Sequence, residues 1–110
     1  MAKRRKYRNQ PVTVDGHEFD SKAEARRFGE LKHLLHAGKI RCLRIHTPFT
    51  LTVNNIKICC YEADFVYEEW IDGKWSLVIE DVKGHRTREY KLKSKLMLAI
   101  HGISIREIDA

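Results

Sequence analysis

The chain has only three cysteines in 110 residues, and they are poorly placed for cross-linking. Cys42 stands alone, Cys59 and Cys60 are adjacent, and there is no CxxC pair. An odd count with this spacing argues against a disulfide framework and against a zinc site. It reads as reduced thiols packed on strands of a cytosolic protein. Long apolar runs are also missing. Nothing approaches the ~20 residues that span a bilayer, and the start MAKRRKYRNQ lacks the apolar core of a secretion signal, so no membrane role is expected. There is no GxxxxGK[ST] loop, no GxGxxG and no suggested Ser–His or Cys–His pair, which removes nucleotide-phosphate cradles and acyl transfer. Repeats, low-complexity stretches and linkers are absent too. The expected organisation is a basic arm over 1–10 and one domain over 11–110.

What is abundant is positive charge. Lysine and arginine number 21 against 15 acids, a net charge of +6, with a pI near 9.4. Such a balance calls for an anionic partner, nucleic acid before a membrane surface. Lys3, Arg4, Arg5 and Lys6 crowd the arm. Arms of this kind are commonly solvated tails, and contact with phosphates is compatible with that.

Periodicity gives the elements. VTVDGHEF reads as a small hairpin turning on Asp15-Gly16. Asp20 or Ser21 caps a first helix, Ser21-x-x-Glu24 fits a capping box, and Phe28, Leu31 and Leu35 give its apolar stripe up to Gly38. Phe49, Leu51 and Val53 alternate, Asn54-Asn55 turns, and Ile56, Ile58 and Cys60 alternate again into a strand reaching about Glu69. Asp72-Gly73 makes the next tight turn, and Lys74 to Lys83 is the third strand. A second helix runs from a Thr87 cap to about Ile100, with Leu92, Leu96, Ala99 and Ile100 inward and Gly102 closing it. ISIREI is a last strand. The fold class is α/β, a mixed central sheet flanked by helices, with an added N-terminal hairpin.

One stretch stands out. In LVIEDVKGH, aliphatic residues run straight into Glu80, Asp81 and Lys83. A carboxylate at the end of a buried strand is costly unless something pairs with it. If Asp72-Gly73 is a two-residue loop, Trp70 faces Trp75, and the same register carries Asp64 opposite Asp81. Directly opposed like charges destabilise a sheet, so the pair needs a cation or a raised pKa. Lys83 shares a face with Asp81, Glu62 would oppose Lys83, and Glu80 points the other way. Two aspartates and a glutamate offer the hard oxygens that Mg²⁺ or Mn²⁺ takes, and a neighbouring lysine suits phosphodiester hydrolysis. The bland alternatives are a cap for Glu24, a strand-end polar residue for Asp64 and a surface ion pair for Asp81 with Lys83. On the second helix Arg88, Lys91 and Lys95 fall on one side, as a solvated face or as phosphate contacts; His85 and Arg86 could reach the same backbone. The remaining histidines, His46 among them, lack ligand spacing and read as structural or surface residues. Trp70 and Trp75 read as a packing pair before a base-stacking platform.

Asp64 in YEADFVY and EDVKG seventeen residues on resemble the PD-(D/E)XK nuclease superfamily, with Asp81-Val82-Lys83 as its D-x-K element. FDSKAEARRF resembles the glutamate-bearing first helix, and with EYKLKSKL downstream the chain is similar to a family of short phage and prophage proteins in that superfamily. The likeness spans about Tyr7 to Ile108. Ala63 stands where many members have proline. The resemblance implies a restriction-endonuclease-like αβββαβ core. It implies Mg²⁺, with Mn²⁺ able to substitute, held by Asp64, Asp81, the Val82 carbonyl and Glu24, and Lys83 serving the attacking water and scissile phosphate. It also implies an endonuclease leaving 5′-phosphates, acting on DNA in a bacterial host's cytoplasm as a homodimer or with replication or recombination partners. Branched DNA, such as a Holliday junction, is the substrate that family analogy favours. A non-catalytic DNA-binding module on the same fold, or a nuclease of linear or single-stranded ends, are the alternatives.

Overall fold

A computed structural model of the chain describes residues 10–110. The basic residues Lys3, Arg4, Arg5 and Lys6 lie outside the described part. The elements are β1 (Val12–Val14), β2 (His17–Phe19), α1 (Lys22–His36), β3 (Ile40–Val53), β4 (Ile56–Ile71), β5 (Lys74–Lys83), α2 (Arg88–His101) and β6 (Arg106–Asp109). β1 and β2 form a separate hairpin, and the main sheet runs β3-β4-β5-β6. Its first two pairings are antiparallel, and β6 joins β5 in parallel after the α2 crossover. The chain is thus mixed α/β. Among the described residues no helix is long and apolar enough to cross a membrane.

The turns follow from local chemistry. Asp15-Gly16, Asn54-Asn55 and Asp72-Gly73 all take positive φ at both central positions. That is the type I′ geometry whose twist matches the flanking strands. Ser21 caps α1 by accepting the Glu24 N–H at 3.2 Å, and Thr87 caps α2 by accepting the Tyr90 N–H at 3.0 Å. Each cap stabilises its helix by about 1 kcal/mol. Gly102 ends α2 in the left-handed conformation, φ 68°.

The helices cover opposite faces of the sheet. Phe65, Tyr67 and Val78 pack with Ala25, Phe28 and Leu31 of α1. Val66 and Ile79, one step along each strand, pack with Tyr90 and Met97 of α2, as strand alternation requires. The alternation then breaks. On β3, Leu43 and Ile45 belong to the α1 side but Phe49 and Leu51 to the α2 side. On β4, Phe65 and Tyr67 face α1 but Tyr61 and Ala63 face α2. A regular strand would keep odd-numbered positions on one face, so the β3–β4 ribbon rolls over between these pairs. The roll falls at His46 (φ 47°) and at Asp64, which the flanking pairs Ile45–Phe65 and Thr47–Ala63 place opposite each other.

Four expectations need correction. β3 begins at Ile40, not Phe49, because an edge strand tolerates Pro48 and absorbs the left-handed residues Cys42 and His46. β6 is only Arg106–Asp109; Ile103 and Ile105 precede it as core-packing residues. Leu92 and Ala99 are exposed on α2, because Tyr90 and Met97 set the inward stripe with Leu96 and Ile100. The cysteines are free, but Cys42 and Cys60 are exposed and only Cys59 is partly packed.

Candidate active site

The Trp70–Trp75 pair forms, with ring centroids 5.3 Å apart, and the β4–β5 register holds as far as Phe65 opposite Glu80. The ladder ends there, one pair short of the aspartates. β6 pairs along the opposite edge of β5 from Glu80 onward. The freed Val82 N–H, with no strand partner on the β4 side, donates instead to Asp64 Oδ2 at 2.8 Å. Glu62, paired with Pro48, stays exposed and does not oppose Lys83.

Asp81 is 2% exposed. The Tyr61 hydroxyl donates to its Oδ2. Among the described residues its other oxygen, Oδ1, is buried with no hydrogen-bond donor. Lys83 Nζ lies 3.0 Å from that oxygen as an ion pair, but the ammonium is poorly aligned to donate and sits 4.4 Å from the centre of the Tyr90 ring. Charge therefore balances at Asp81 while one lone-pair direction goes unused. The effect is felt next door. Burial, then the charge of Asp81, then that of Glu24, push the Asp64 carboxyl up to about 8, against the Val82 N–H that lowers it. Burial also raises Tyr61 far above its ordinary value, reinforced by its bond to Asp81, so it remains a donor.

Glu24 arrives from the first turn of α1 and is 5% exposed. Its main-chain N–H completes the Ser21 half of the capping box, but its side chain goes elsewhere: Oε2 is 2.8 Å from His46 Nε2. Burial raises the Glu24 carboxyl, with the His46 hydrogen bond pulling the other way. Glu24, Asp64, Val82 and Lys83 all line one cavity of about 690 Å³, with the capping residues Ser21 and Thr87 at its sides. Two helix N-termini thus meet at a cavity with carboxylates and a lysine in its wall.

Glu80 points to the other face, as alternation demands. It is fully buried and held by Arg27, whose Nε and Nη2 lie 2.9 and 2.6 Å from its two oxygens, and by the Tyr67 hydroxyl. Arg27 is one turn after Glu24, and Glu80 is the residue before Asp81. This buried pair therefore fixes α1 against β5 beside both groups.

The basic candidates divide. Arg88, Lys91 and Lys95 are exposed along α2. Arg86 is committed to β6, 2.7 Å from Glu107 and 3.4 Å from Asp109. His85 lines the cavity. Among the described residues no three His, Cys, Asp or Glu side chains converge as a ready metal cage. His46 and Tyr61, which touch Glu24 and Asp81, and Arg27, which braces the adjacent Glu80 from the other face, are contacts that sequence spacing did not reveal; their partners are 22, 20 and 53 residues away.

The chain belongs to the family described as Protein of unknown function (DUF1064), matched over residues 4–105. No curated protein and no solved structure matches it.

Proposed function

We propose that this chain is a metal-dependent DNA endonuclease built on a PD-(D/E)XK-like αβββαβ core. The observation that carries the reading is the Asp64–Asp81 pair. One oxygen of Asp81 is buried with no hydrogen-bond donor, only the ion-paired Lys83 beside it, and the neighbouring Asp64 carboxyl is raised to about 8, first by burial and then by the charges of Asp81 and Glu24. Both features are what a divalent cation would relieve, and carboxylates are the donors Mg²⁺ and Mn²⁺ prefer. Asp64 and Asp81 would hold the ion, with the Val82 carbonyl and Glu24 completing an oxygen shell whose remaining places go to water. When bound, it would stabilise charge on a phosphate and acidify a water. The protein's own groups do the rest. Lys83 supplies a cation beside Asp81 to orient the attacking water and stabilise the scissile phosphate. The N-termini of α1 and α2 present a favourable potential to the phosphate backbone, and Arg88, Lys91 and Lys95 extend it along α2.

A non-catalytic DNA-binding module on the same fold is favoured by one observation, the absence of three converging ligand side chains among the described residues. One experiment separates the two. Four-way junction, nicked, linear duplex and single-stranded DNA are incubated with wild type and Asp81→Asn, in Mg²⁺, Mn²⁺ or EDTA. Metal-dependent cutting that leaves 5′-phosphates and is lost in the variant is expected, with the junction cut best and symmetrically. Binding without cutting in any metal would transfer the reading to the module.

A further inference from the structure

We infer that His46 is a positioning residue of this site: its ring N–H holds one oxygen of Glu24, so that the other is presented to the metal. The inference rests on the nuclease reading above and deepens it.

Three observations carry it. The first is the contact, Nε2 to Oε2 at 2.8 Å, between a buried glutamate and a histidine on an edge strand. Donor and acceptor in this contact depend on the ring's tautomer; with Glu24 ionised, as the ligand role of the nuclease reading requires, the carboxylate only accepts and the ring must carry its proton on Nε2. The second is the backbone. His46 adopts φ 47°, a conformation that most side chains avoid and for which asparagine would be the natural choice. Its place is the roll of the β3–β4 ribbon, directly across from Asp64. The unusual geometry brings the half-exposed ring to the α1 side, within reach of Glu24. The third is how the ring is held. Phe19 meets it edge-on at 5.7 Å between centroids, and its far side borders a second cavity of about 540 Å³ between α1 and β3. A ring fixed by packing and donating to a carboxylate is the arrangement by which outer groups orient metal ligands.

The partner of Glu24 also explains its failure to complete the capping box. A glutamate at the third helical position normally turns back to the cap's own N–H. Here the side chain instead meets His46 and the Asp20 main-chain N–H, at the cavity wall it shares with Asp64 and Val82.

The test uses binding of the metal, read apart from cleavage. Thermal stabilisation is titrated with Mn²⁺ and with Mg²⁺ for wild type, His46→Asn and His46→Gln. Asparagine suits the backbone but falls short of Glu24; glutamine places an amide N–H near the position of Nε2. The expected result is metal-free melting close to wild type for His46→Asn, a metal midpoint about 10–100-fold higher, and recovery of most of that loss in His46→Gln. Cleavage should fall in step in kcat with little change in KM. A wild-type midpoint in His46→Asn overturns the inference, and so does equal impairment of both variants, which would assign the effect to ring packing. Should neither variant fold, the ¹⁵N spectrum of the wild-type ring decides: a proton on Nε2 supports the role, and a ring protonated only at Nδ1 overturns it. Absence of any metal stabilisation in wild type overturns the nuclease reading itself, and this one with it.

Discussion

Replacing Asp64 with asparagine should make the metal-free protein more stable while removing its response to metal. In the folded chain the Asp64 carboxyl titrates near 8; in the unfolded chain it titrates as an ordinary aspartate, near 3.9. Between those values the folded protein binds a proton that the unfolded chain lacks, so stability falls as pH rises through this window and levels off above it. Each pH unit is worth about 1.4 kcal/mol, which sets a ceiling of about 5–6 kcal/mol for the whole shift. Asp64 is only partly buried and its cost is shared with Asp81, so about half of that, roughly 2–3 kcal/mol, is the working figure. Asparagine has nearly the same shape, its carbonyl can still accept the Val82 N–H, and its amide can serve a neighbouring oxygen. The assay is urea unfolding in EDTA from about pH 4 to pH 9, on wild type and Asp64→Asn. The curves should lie close together at about pH 4 and separate as pH rises, with the variant more stable by roughly 2–3 kcal/mol at about pH 8.5. Saturating Mg²⁺ should close the gap from the wild-type side alone. Equal stabilities at about pH 8.5, or a wild type that gains on the variant as pH rises, would refute the account of the two carboxylates.

Arg27→Ala should cost about 3 kcal/mol in urea unfolding, because it strips a fully buried Glu80 of its cation, whereas Arg27→Leu combined with Glu80→Leu should recover most of the loss. A double variant as unstable as the single one would mean that the pair contributes attraction beyond its desolvation cost. Glutamine at Arg88, Lys91 and Lys95 together should weaken DNA binding for all sequences alike and flatten its salt dependence by up to about 0.9 per lost phosphate contact, measured by fluorescence anisotropy at several salt concentrations. An unchanged slope would return that helix face to solvent.

The parts of the fold that were legible in the sequence are the parts set by neighbouring residues. Asp15-Gly16, Asn54-Asn55 and Asp72-Gly73 specify I′ turns, and through them the register that pairs Trp70 with Trp75. Ser21 and Thr87 announce their helices for the same reason. Legibility fails where distant groups decide. Nothing near Pro48 signals that the strand starts eight residues earlier, since tolerance of proline depends on β3 being an edge. On α2 the leucines invited an inward stripe, yet Tyr90 turns inward to reach Glu107 and carries the helix around with it. At the site, Glu24, Asp64, Asp81 and Lys83 stand out by type and spacing. The roll at His46 does not, because alternation of apolar residues looks the same on either side of it.

Glu80 and Asp81 are neighbours in the chain and strangers in the fold. One faces α1 and is consumed by Arg27 and Tyr67; the other faces α2, bonded by Tyr61 and ion-paired with Lys83. For a lineage carrying this chain, the two positions are exposed to different kinds of selection. Drift at Glu80 is removed through loss of folded protein, whatever the molecule is used for. Drift at Asp81 toward asparagine leaves that strut untouched, so under the proposed nuclease reading it would be removed only while cleavage is needed. On that reading a folded descendant without cleavage is a single substitution away, and the pairing of Arg27 with Glu80 should outlast the acid beside it.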